Sequence, residues 1–404
     1  MTSNRGAAGV KDSAQASSCP QNTIPAGQVI VLCPGGLGNG GGIGRQMGYF
    51  LQALDARRSS LAYRVVDTRG PWFLGASRLH IALSTLYLAH AALQLVLARL
   101  APTPRVVHVN LTGRGSTVRK IVLTAILRAL ALRYLLHIHD YDYAEDYRAR
   151  GSRMQGLIRR MFHGAHRVLV LGDETRRALM PLLDLSPDRV LVLHNAVPDP
   201  LPDLGQSRPE GPCHLVFLGY LSARKGVPEL LQALASPALA GRPWRATLAG
   251  GGPVEQYRRQ AAELGLAARI DFPGWLDQPA ASALCAAGDI LVLPSHAEGL
   301  AMSVLEGLAH GLAVVATPVG AHAEVIESEV SGLLVPPGDT AALADALARV
   351  IDDAALRERL RAGARRRFLD HFDVRTYAER LGQLHASLLP GRSTVGAIGK
   401  EQIS

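Results

Sequence analysis

The sequence predicts an α/β protein in which two doubly wound Rossmann-like domains face a central cleft. Short apolar segments alternate with helical segments along most of the chain, and this alternation is typical of parallel sheets covered by helices on both faces. A proline-rich polar stretch at 198–212 interrupts the alternation, which then starts again. With 404 residues, the chain is long enough for two domains that each bury a core.

Apolar segments bounded by turn or helix signals are the predicted strands. In the first domain they are 29–33, 62–67, 106–109, 134–139 and 168–171. In the second domain they are 214–218, 245–249, 269–272, 290–293, 313–316 and 332–335. Sheets of this type bind ligands outside the carboxyl ends of their strands, so we expect the chemistry between the two sheets.

The ends of the chain differ from its body. Residues 1–28 are rich in small and polar residues without an apolar block of signal-peptide length, which predicts a flexible tail. Helical periodicity continues to about residue 389, and we expect a last helix at 371–390 that returns to the first domain. The most apolar segments, 79–100 and 121–138, carry polar side chains at helical intervals, which predicts that neither spans a bilayer.

Charge and cysteine content narrow the class of protein. The formal net charge is +9 with a pI near 9.7, which implies attraction to nucleic acid, an anionic membrane or a phosphorylated ligand. The four cysteines are far apart and have no neighbouring histidine set, so neither a disulfide framework nor a zinc site is predicted. A reducing cytoplasm fits this pattern.

The segment 294–306 follows an apolar strand and predicts a turn and the start of a helix. Unpaired backbone N–H groups in the first turn, around 300–304, are suited to hold a phosphate. Helical side chains lean toward the N-terminus, so Glu306 and Glu298 could bracket one ligand by accepting hydrogen bonds from its hydroxyls. For an isolated pair, the ordinary alternative is a dipole-complementing Glu298 and a solvated Glu306.

A second signal lies in the loop that begins at Gly219, after the first strand of the second domain. This loop carries Arg224 and Lys225. Two cations at the carboxyl end of a strand can neutralise a pyrophosphate and the charge that develops as it leaves, without a metal. A solvated basic turn is the alternative.

The first domain offers weaker signals. A glycine-rich loop at 35–45 would let backbone amides approach a ligand, but it lacks the lysine and hydroxyl of a nucleoside triphosphate loop and could be a flexible lid. His139 ends a core strand and could hydrogen-bond a substrate hydroxyl, whereas His137 is interpreted as structural. The sequence shows neither an acyl-transfer triad nor a metal-binding motif.

Taken together, these motifs resemble glycosyltransferase family 4 over about residues 29–385. The resemblance rests on the Glu-x7-Glu spacing of Glu298 and Glu306 and on segments 41–45, 248–253, 272–274, 313–318 and 332–339. It implies a GT-B fold, metal-independent transfer with retained anomeric configuration, and a nucleotide-diphosphate sugar as donor substrate without a cofactor. Residues 29–200 would form the acceptor-side domain and 213–370 the nucleotide-sugar-binding domain.

The resemblance also implies roles for individual residues. Glu298 would contact the donor sugar, and Lys225 with Arg224 would hold the diphosphate. His139 would contact the transferred sugar near the reaction centre, which completes the set of predicted catalytic residues. The predicted donor-binding residues are Gly42, Gly219, Phe272, Gly274, Leu300, Ala301, Met302, Ser303 and Glu306, with Glu306 on the ribose and 272–276 near the base.

Three positions depart from the family pattern. Tyr220 stands where arginine is common, Ala301 where proline is common, and Ala321 where a second glycine is common. Arg224 could supply the missing cation. The Ala301 change would relax the turn before the helix, and Ala321 would place a methyl group beside a donor-binding loop.

A narrower resemblance concerns the donor and the acceptor. Segments 116–120, 137–139 and 145–147 look similar to bacterial exopolysaccharide mannosyltransferases that act on polyprenyl-diphosphate-linked sugars. This makes GDP-mannose a candidate donor, and a UDP-sugar is the alternative. It also implies a glycan or lipid-linked acceptor, in the cytoplasm or at the inner face of the cytoplasmic membrane.

Several alternatives stay open at this point. Arg119, Lys120, Arg128 and Arg133 could dock on an anionic membrane or form a solvated helix face. The fold would also suit a nucleotide-sugar epimerase or a sugar phosphorylase. Basic residues are scattered and aromatics make up only 5% of the chain, so nucleic acid is not an expected partner, although the charge would suit one. A catalytically silent scaffold is the last alternative.

Overall fold

The computed structural model describes residues 26–37, 41–56, 59–70, 78–200 and 211–390. Almost all of the predicted tail at 1–28 and most of the predicted linker at 198–212 therefore lie outside the described residues. The same holds for residues 38–40 of the glycine-rich loop.

The N-terminal domain is built on a six-stranded parallel sheet with the order β2-β1-β3-β4-β5-β6. Its strands are β1 Gly27–Cys33, β2 Leu61–Asp67, β3 Arg105–Leu111, β4 Arg133–Ile138, β5 Arg167–Val170 and β6 Val190–Val192. The mostly apolar central strands suit a sheet that is covered on both faces. The sequence did not predict β6, because three residues are too few to show a periodic pattern.

Helices cover both faces of this sheet. They are α1 Gly41–Ala56, α2 Arg78–Leu100, α3 Gly115–Ala129, α4 Tyr143–Arg148, α5 Ser152–Gly164 and α6 Asp173–Leu183. The helix α1 lies on one face of the sheet, where its buried side chains join the first hydrophobic core. The helices α2, α3 and α5 lie on the opposite face, where they share a second hydrophobic core.

The C-terminal domain repeats this architecture with the strand order β12-β11-β10-β7-β8-β9, again all parallel. Its strands are β7 Cys213–Leu218, β8 Trp244–Ala249, β9 Ile270–Gly274, β10 Ile290–Leu293, β11 Ala313–Ala316 and β12 Gly332–Leu334. Its helices are α7 Val227–Leu234, α8 Val254–Glu263, α9 Gln278–Ala287, α10 Met302–Ala309, α11 His322–Val325, α12 Thr340–Asp352 and α13 Ala354–His371. The predicted class, two doubly wound α/β domains, is confirmed.

Local sequence explains where several of these helices begin. Aspartate side chains accept a backbone N–H at the N-caps of α9, α12 and α13, and the aspartates are Asp277, Asp339 and Asp353. Such a cap stabilises a helix by about 1 kcal/mol, since it satisfies an N–H group that has no partner within the helix.

The last helix, α14 Val374–Leu388, leaves the C-terminal domain and packs on the N-terminal one. Leu381 of α14 is fully buried, and α14 lies against α1. The guanidinium of Arg133 donates to the carbonyl oxygen of Leu388 at 3.3 Å. An isolated β-bridge between Val197 and Asp373 joins the two segments of the chain that pass from one domain to the other.

The two most apolar segments have different structures. The segment 121–138 is divided between α3 and β4, so it is not one helix. Within α2, residues Ala82–Leu100 are long and apolar enough to cross a membrane by length and composition, and only 22% of them are buried. Core helices of soluble proteins also meet this criterion, but they are mostly buried.

Of the four basic residues that could dock on an anionic membrane or form a solvated helix face, Lys120 fits neither alternative. Lys120 is fully buried, and its Nζ lies 2.6 Å from the hydroxyl of Thr68. Burial lowers the pKa of Lys120 to about 7. Arg119 and Arg133 are half-buried, and only Arg128 is exposed. The helix α3 packs both apolar and polar side chains onto the sheet, which an amphipathic pattern does not reveal.

The opposite faces of α2 should differ in their contribution to stability. Leu95 is fully buried and Leu97 is 50% exposed. We expect Leu95→Ala to lower the free energy of unfolding by about 2–5 kcal/mol because it leaves a cavity. The matched Leu97→Ala change should lower it by less than about 0.5 kcal/mol. Urea unfolding followed by circular dichroism measures both, and equal losses would contradict the placement of α2.

Candidate active site

A cleft of 680 Å³ lies between the two domains, at the carboxyl ends of the strands of both sheets. Most of the predicted site residues line it. They are Gly42, His139, Gly219, Arg224, Lys225, Glu298, Leu300, Ala301, Met302, Ser303 and Glu306. The fold therefore brings together motifs that are separated by up to several hundred residues in the sequence.

Glu298 is the centre of a charged cluster on the C-terminal side of the cleft. Its Oε1 lies 2.5 Å from Nζ of Lys225 and 3.3 Å from a guanidinium nitrogen of Arg224. The side chains of Glu298 and Lys225 are nearly buried, and that of Arg224 is 39% exposed. Arg224 also donates to the carbonyl oxygen of Ala297 at 2.6 Å. This cluster has one more positive than negative charge, so it is suited to bind an anion.

Two loops from neighbouring strands hold this cluster together. Lys225 ends a single 3₁₀ turn that the side chain of Ser222 caps. Gly226 follows with φ of 71°, and a Cβ atom there would lie 2.0 Å from the carbonyl oxygen of Pro294. Only glycine fits this close approach. The backbone N–H of His296 donates to the carbonyl oxygen of Arg224, which joins the two loops directly.

Glu306 forms an ion pair across the cleft with Arg45 of α1. The distance from Oε1 of Glu306 to the guanidinium is 3.2 Å, and Glu306 is almost completely buried. Burial raises the pKa of Glu306, and the neighbouring Arg45 partly offsets the rise. Sequence reasoning missed this role of Arg45, although Arg45 belongs to the predicted glycine-rich motif. A ligand that engages Glu306 must share it with this arginine or displace it.

The start of α10 faces the cleft, but two N–H groups of the segment 300–304 already have partners. The N–H of Val304 donates to the carbonyl oxygen of Ala301 at 3.2 Å. The N–H of Ala301 donates to Nε2 of His322 at 3.4 Å, and Nδ1 of His322 donates to the carbonyl oxygen of Thr317. Burial lowers the pKa of His322, so the neutral ring can accept this bond. The expectation that the whole segment 300–304 offers unpaired amides therefore needs correction. Met302 and Ser303 open the helix, where N–H groups have no partner within it.

Two predicted donor-binding residues do not line the cleft. Phe272 is buried in the hydrophobic core because its position in β9 directs the side chain inward, and Gly274 ends that strand. The next residues, Trp275 and Leu276, line the cleft instead. Trp275 is 70% exposed, and an exposed indole beside a cleft is suited to stack on a planar ligand.

The positions that depart from the family pattern also have defined environments. Tyr220 is 62% exposed and lines the cleft. The guanidinium of Arg224 lies 5.1 Å from the ring centroid of Tyr141, which helps to fix it at the cleft. Ala321 is buried next to Gly172 of the N-terminal domain, so its methyl group packs between the domains and not on the cleft surface.

On the N-terminal side, Asn110 positions His139, and sequence reasoning did not identify it. The Asn110 amide donates from Nδ2 to the carbonyl oxygen of Leu32, so its Oδ1 accepts from Nε2 of His139 at 2.8 Å. This assigns the proton of the ring to Nε2 and leaves Nδ1 as an acceptor. Burial lowers the pKa of His139 to about 3, which keeps the ring neutral.

His139 is the end of a row of four histidines, and the other three, His108, His137 and His385, are fully buried. Nδ1 of His108 lies 3.0 Å from Nε2 of His385 on α14, and Nε2 of His108 lies 3.2 Å from Nδ1 of His137. The rings of His137 and His139 are 4.1 Å apart. Burial lowers the pKa of all four, and Tyr63 contacts the far end of the row. His137 is thus buried, as its structural interpretation requires, although its Nε2 has no hydrogen-bond partner within the described residues.

The site can therefore bind a ligand that has both hydroxyl groups and negative charge. Carboxylates at Glu298 and Glu306 can accept hydrogen bonds from hydroxyls, and the cations beside them can neutralise phosphates. In the described ranges, no group of three or more His, Cys, Asp or Glu side chains is arranged to hold a metal ion.

Comparisons with known proteins agree with this description. The family described as glycosyl transferases group 1 matches residues 212–353. The 2-deoxystreptamine N-acetyl-D-glucosaminyltransferase of Streptomyces fradiae is 30% identical over 365 residues, which are 83% of this chain and 84% of that protein. The sucrose-phosphate synthase of Thermosynechococcus elongatus aligns with a TM-score of 0.70 at 19% identity, over 90% of this chain and 99% of its own. Anabaena HepE in complex with UDP and glucose aligns with a TM-score of 0.68 at 19% identity, over 89% and 100%.

The neutral histidines predict a loss of stability in mild acid. Unfolded histidines have a pKa of about 6.5, so below this pH the unfolded chain binds more protons than the folded one. The free energy of unfolding should therefore fall as the pH drops below about 6.5, by up to about 1.4 kcal/mol per pH unit for each histidine. Urea unfolding at pH 7.5 and pH 5.5 measures the loss.

Two histidine variants test whether the row of histidines behind His139 causes this loss of stability. His108→Gln should reduce the pH dependence of the unfolding free energy, because it removes one buried proton acceptor. His90 lies on the exposed side of α2, so His90→Gln should leave the dependence unchanged. The assignment is wrong if the two variants behave alike.

Proposed function

The chain belongs to the glycosyl transferases group 1 family and is a glycosyltransferase that uses a nucleotide sugar, and we propose that it is a retaining, metal-independent hexosyltransferase of family 4. The observation that carries the proposal is the cluster of Glu298, Lys225 and Arg224 at the cleft. The proposed reaction moves a hexose from a nucleotide diphosphate to an acceptor hydroxyl.

Lys225 and Arg224 supply the charge that this reaction requires. As the bond between the sugar and the diphosphate breaks, negative charge grows on the departing phosphate oxygen. Two cations fixed at the carboxyl end of a strand stabilise this charge without reorganisation at the moment of reaction. They can take the place of a metal ion, which supports metal independence.

The two glutamates recognise the uncharged parts of the donor. The side chains of Lys225 and Arg224 orient Glu298. Glu298 can therefore accept hydrogen bonds from sugar hydroxyls while these two cations bind the diphosphate. Glu306 lies deeper, where it would accept the ribose hydroxyls as Arg45 gives up part of its contact. Trp275 and Leu276 lie on the cleft surface where the base is expected.

The neutral ring of His139 fits a position beside the transferred sugar. A neutral imidazole whose Nδ1 is an acceptor can hold a sugar hydroxyl without adding positive charge at the reaction centre. We propose a front-face reaction, in which the acceptor oxygen bonds to the anomeric carbon on the side that the diphosphate leaves. The acceptor proton then passes to the leaving phosphate oxygen, and the anomeric configuration is retained.

The donor and the acceptor are proposed by class. GDP-mannose and UDP-hexoses are the candidate donors, and the complex of Anabaena HepE with UDP and glucose supports the UDP-sugars. A lipid-linked or polysaccharide-precursor glycan at the cytoplasmic face of the membrane is the proposed acceptor. A soluble aminocyclitol is the second candidate, since a relative is named for transfer to 2-deoxystreptamine.

A screen of candidate donors by thermal unfolding tests this function. We expect one of GDP-mannose, UDP-glucose, UDP-galactose and UDP-N-acetylglucosamine to raise the melting temperature of the enzyme in the presence of EDTA, because it binds only the folded state. Release of nucleotide diphosphate should require an acceptor, and proton NMR of the product should show the anomeric configuration of the donor. Release of the nucleotide diphosphate without an acceptor would favour an epimerase, and inversion would exclude the proposed mechanism.

Variants of the charged cluster test the site. Lys225→Met and Glu298→Gln should each lower kcat/KM by about 100- to 1,000-fold, because each removes a group that contacts the reacting diphosphate or sugar. Glu329→Gln is the matched control, since Glu329 pairs with Arg349 on the exposed surface of the same domain. The control should keep full activity. Unimpaired turnover by both cleft variants would contradict the site.

A further inference from the structure

The N-terminal domain contains a long segment without acidic residues. Between Asp67 and Asp140 the chain has no Asp or Glu, and it has nine Arg and Lys. This segment includes α2 and α3, which lie side by side on the same face of the first sheet. The outer surface formed by these two helices therefore has no negative charge of its own.

The helix α2 is apolar on both of its faces. Ala91 and Leu95 point into the core and are completely buried. On the opposite side, Leu86, Leu93 and Leu97 are 65%, 54% and 50% exposed. His90 also lies on this outer side, but most of its exposed side chains are apolar, and the sheet covers only the inner side of the helix.

The neighbouring helix extends the exposed apolar surface. Val118 and Val122 of α3 are one turn apart and are each 43% exposed. Together, seven exposed apolar side chains form the outer face of α2 and α3: Leu86, Leu93, Val96, Leu97, Leu100, Val118 and Val122. They are seven of the fifteen exposed large apolar side chains in the described part of the chain, so the apolar surface is concentrated here.

We propose that the outer face of α2 and α3 docks this enzyme on an anionic lipid bilayer, with α2 lying in the plane of the interface. The inference deepens the proposed function and rests on it, because the proposed acceptor is a glycan at the face of a membrane. Apolar side chains would enter the boundary between head groups and acyl chains, and the surrounding cations would face lipid phosphates.

The contacts of α2 require it to lie on the membrane and not to cross it. Its inner side chains belong to the core of the first sheet, and a crossing helix would have to leave them behind. The hydroxyl of Ser84 donates to the carbonyl oxygen of Arg69 at 2.9 Å. Arg99 donates to the carbonyl oxygen of Leu130 at 3.1 Å. These bonds join both halves of α2 to the domain.

Charge favours lipid over a second copy of the chain. Arg99 and Arg128 are exposed in the last turns of α2 and α3, next to the apolar side chains. If two copies met through this face, cations would approach cations without any carboxylate between them, which is unfavourable. Phosphatidylglycerol or a similar anionic lipid supplies the missing negative charge.

The docked orientation would serve an acceptor that is held in the membrane. The helix α3 begins just after the carboxyl end of β3. Asn110 is the penultimate residue of that strand and lies beside His139. A membrane against α2 and α3 would therefore lie along the N-terminal wall of the cleft. A lipid-linked glycan could reach the site from this side.

Vesicle flotation with the full chain tests the proposal. The probes are vesicles of phosphatidylcholine alone and vesicles that also contain phosphatidylglycerol. We expect the enzyme to float with the anionic vesicles and less with the neutral ones. The double variant Leu93→Glu/Leu97→Glu should lower the bound fraction about tenfold or more, because it places carboxylates in the interface.

The control is the double variant Leu264→Glu/Leu369→Glu. It changes two leucines of the C-terminal domain that are 37% and 47% exposed, and it should float like the wild type. The proposal is overturned if the wild type does not bind anionic vesicles, or if both double variants lose binding equally. It is also overturned if light scattering shows a dimer that only the α2 variant disrupts, since the face would then join two copies.

Donor binding in solution separates this result from the proposed function. The α2 variant should keep the melting temperature of the wild type and its shift with the nucleotide sugar, because the changed residues are exposed and neither of them lines the cleft. If vesicle binding fails while donor binding persists, only the docking proposal is wrong. If no nucleotide sugar binds while vesicle binding persists, only the proposed function is wrong.

Discussion

The proposed chemistry of this enzyme depends on the ion pairs that Glu298 makes with Lys225 and Arg224. They exist because two loops of the second sheet are joined: Gly226 packs against the carbonyl oxygen of Pro294, and that approach leaves no room for a side chain. The cluster is therefore assembled before any ligand arrives. A preorganised set of charges stabilises a developing charge better than one that must first be ordered by the substrate.

The two domains contribute groups of different kinds to the cleft. The C-terminal domain provides charged side chains at the ends of β7 and β10, whereas the N-terminal domain provides the neutral His139 and the amide of Asn110. Arg45 connects the two sides through Glu306. Helix α14 carries His385 into the N-terminal domain, so the row of histidines behind His139 includes a residue from the far end of the chain. This division suits a donor on one domain and an acceptor on the other.

Sequence reasoning predicted the fold and most of the charged site, because those features are local. Strand and helix periodicity, and motifs such as Glu298 with Glu306, are visible within a few residues. It failed where the result depends on tertiary contacts. Asn110 and Arg45 act through partners distant in sequence, Phe272 turned out to be buried because of the register of β9, and Lys120 is buried where the helical pattern suggested exposure. The apolar outer face of α2 was hidden because a helix with two apolar faces resembles an ordinary core helix.

A crystal structure of the enzyme soaked with its donor in the presence of EDTA would show whether the donor binds as proposed. The proposed binding mode places the diphosphate within hydrogen-bond distance of Lys225 and Arg224, a sugar hydroxyl on Glu298, and the ribose on Glu306 in place of Arg45. It would be contradicted by a donor that binds elsewhere in the cleft. It would also be contradicted if the donor bound only when a divalent cation was restored and bridged the diphosphate to the protein.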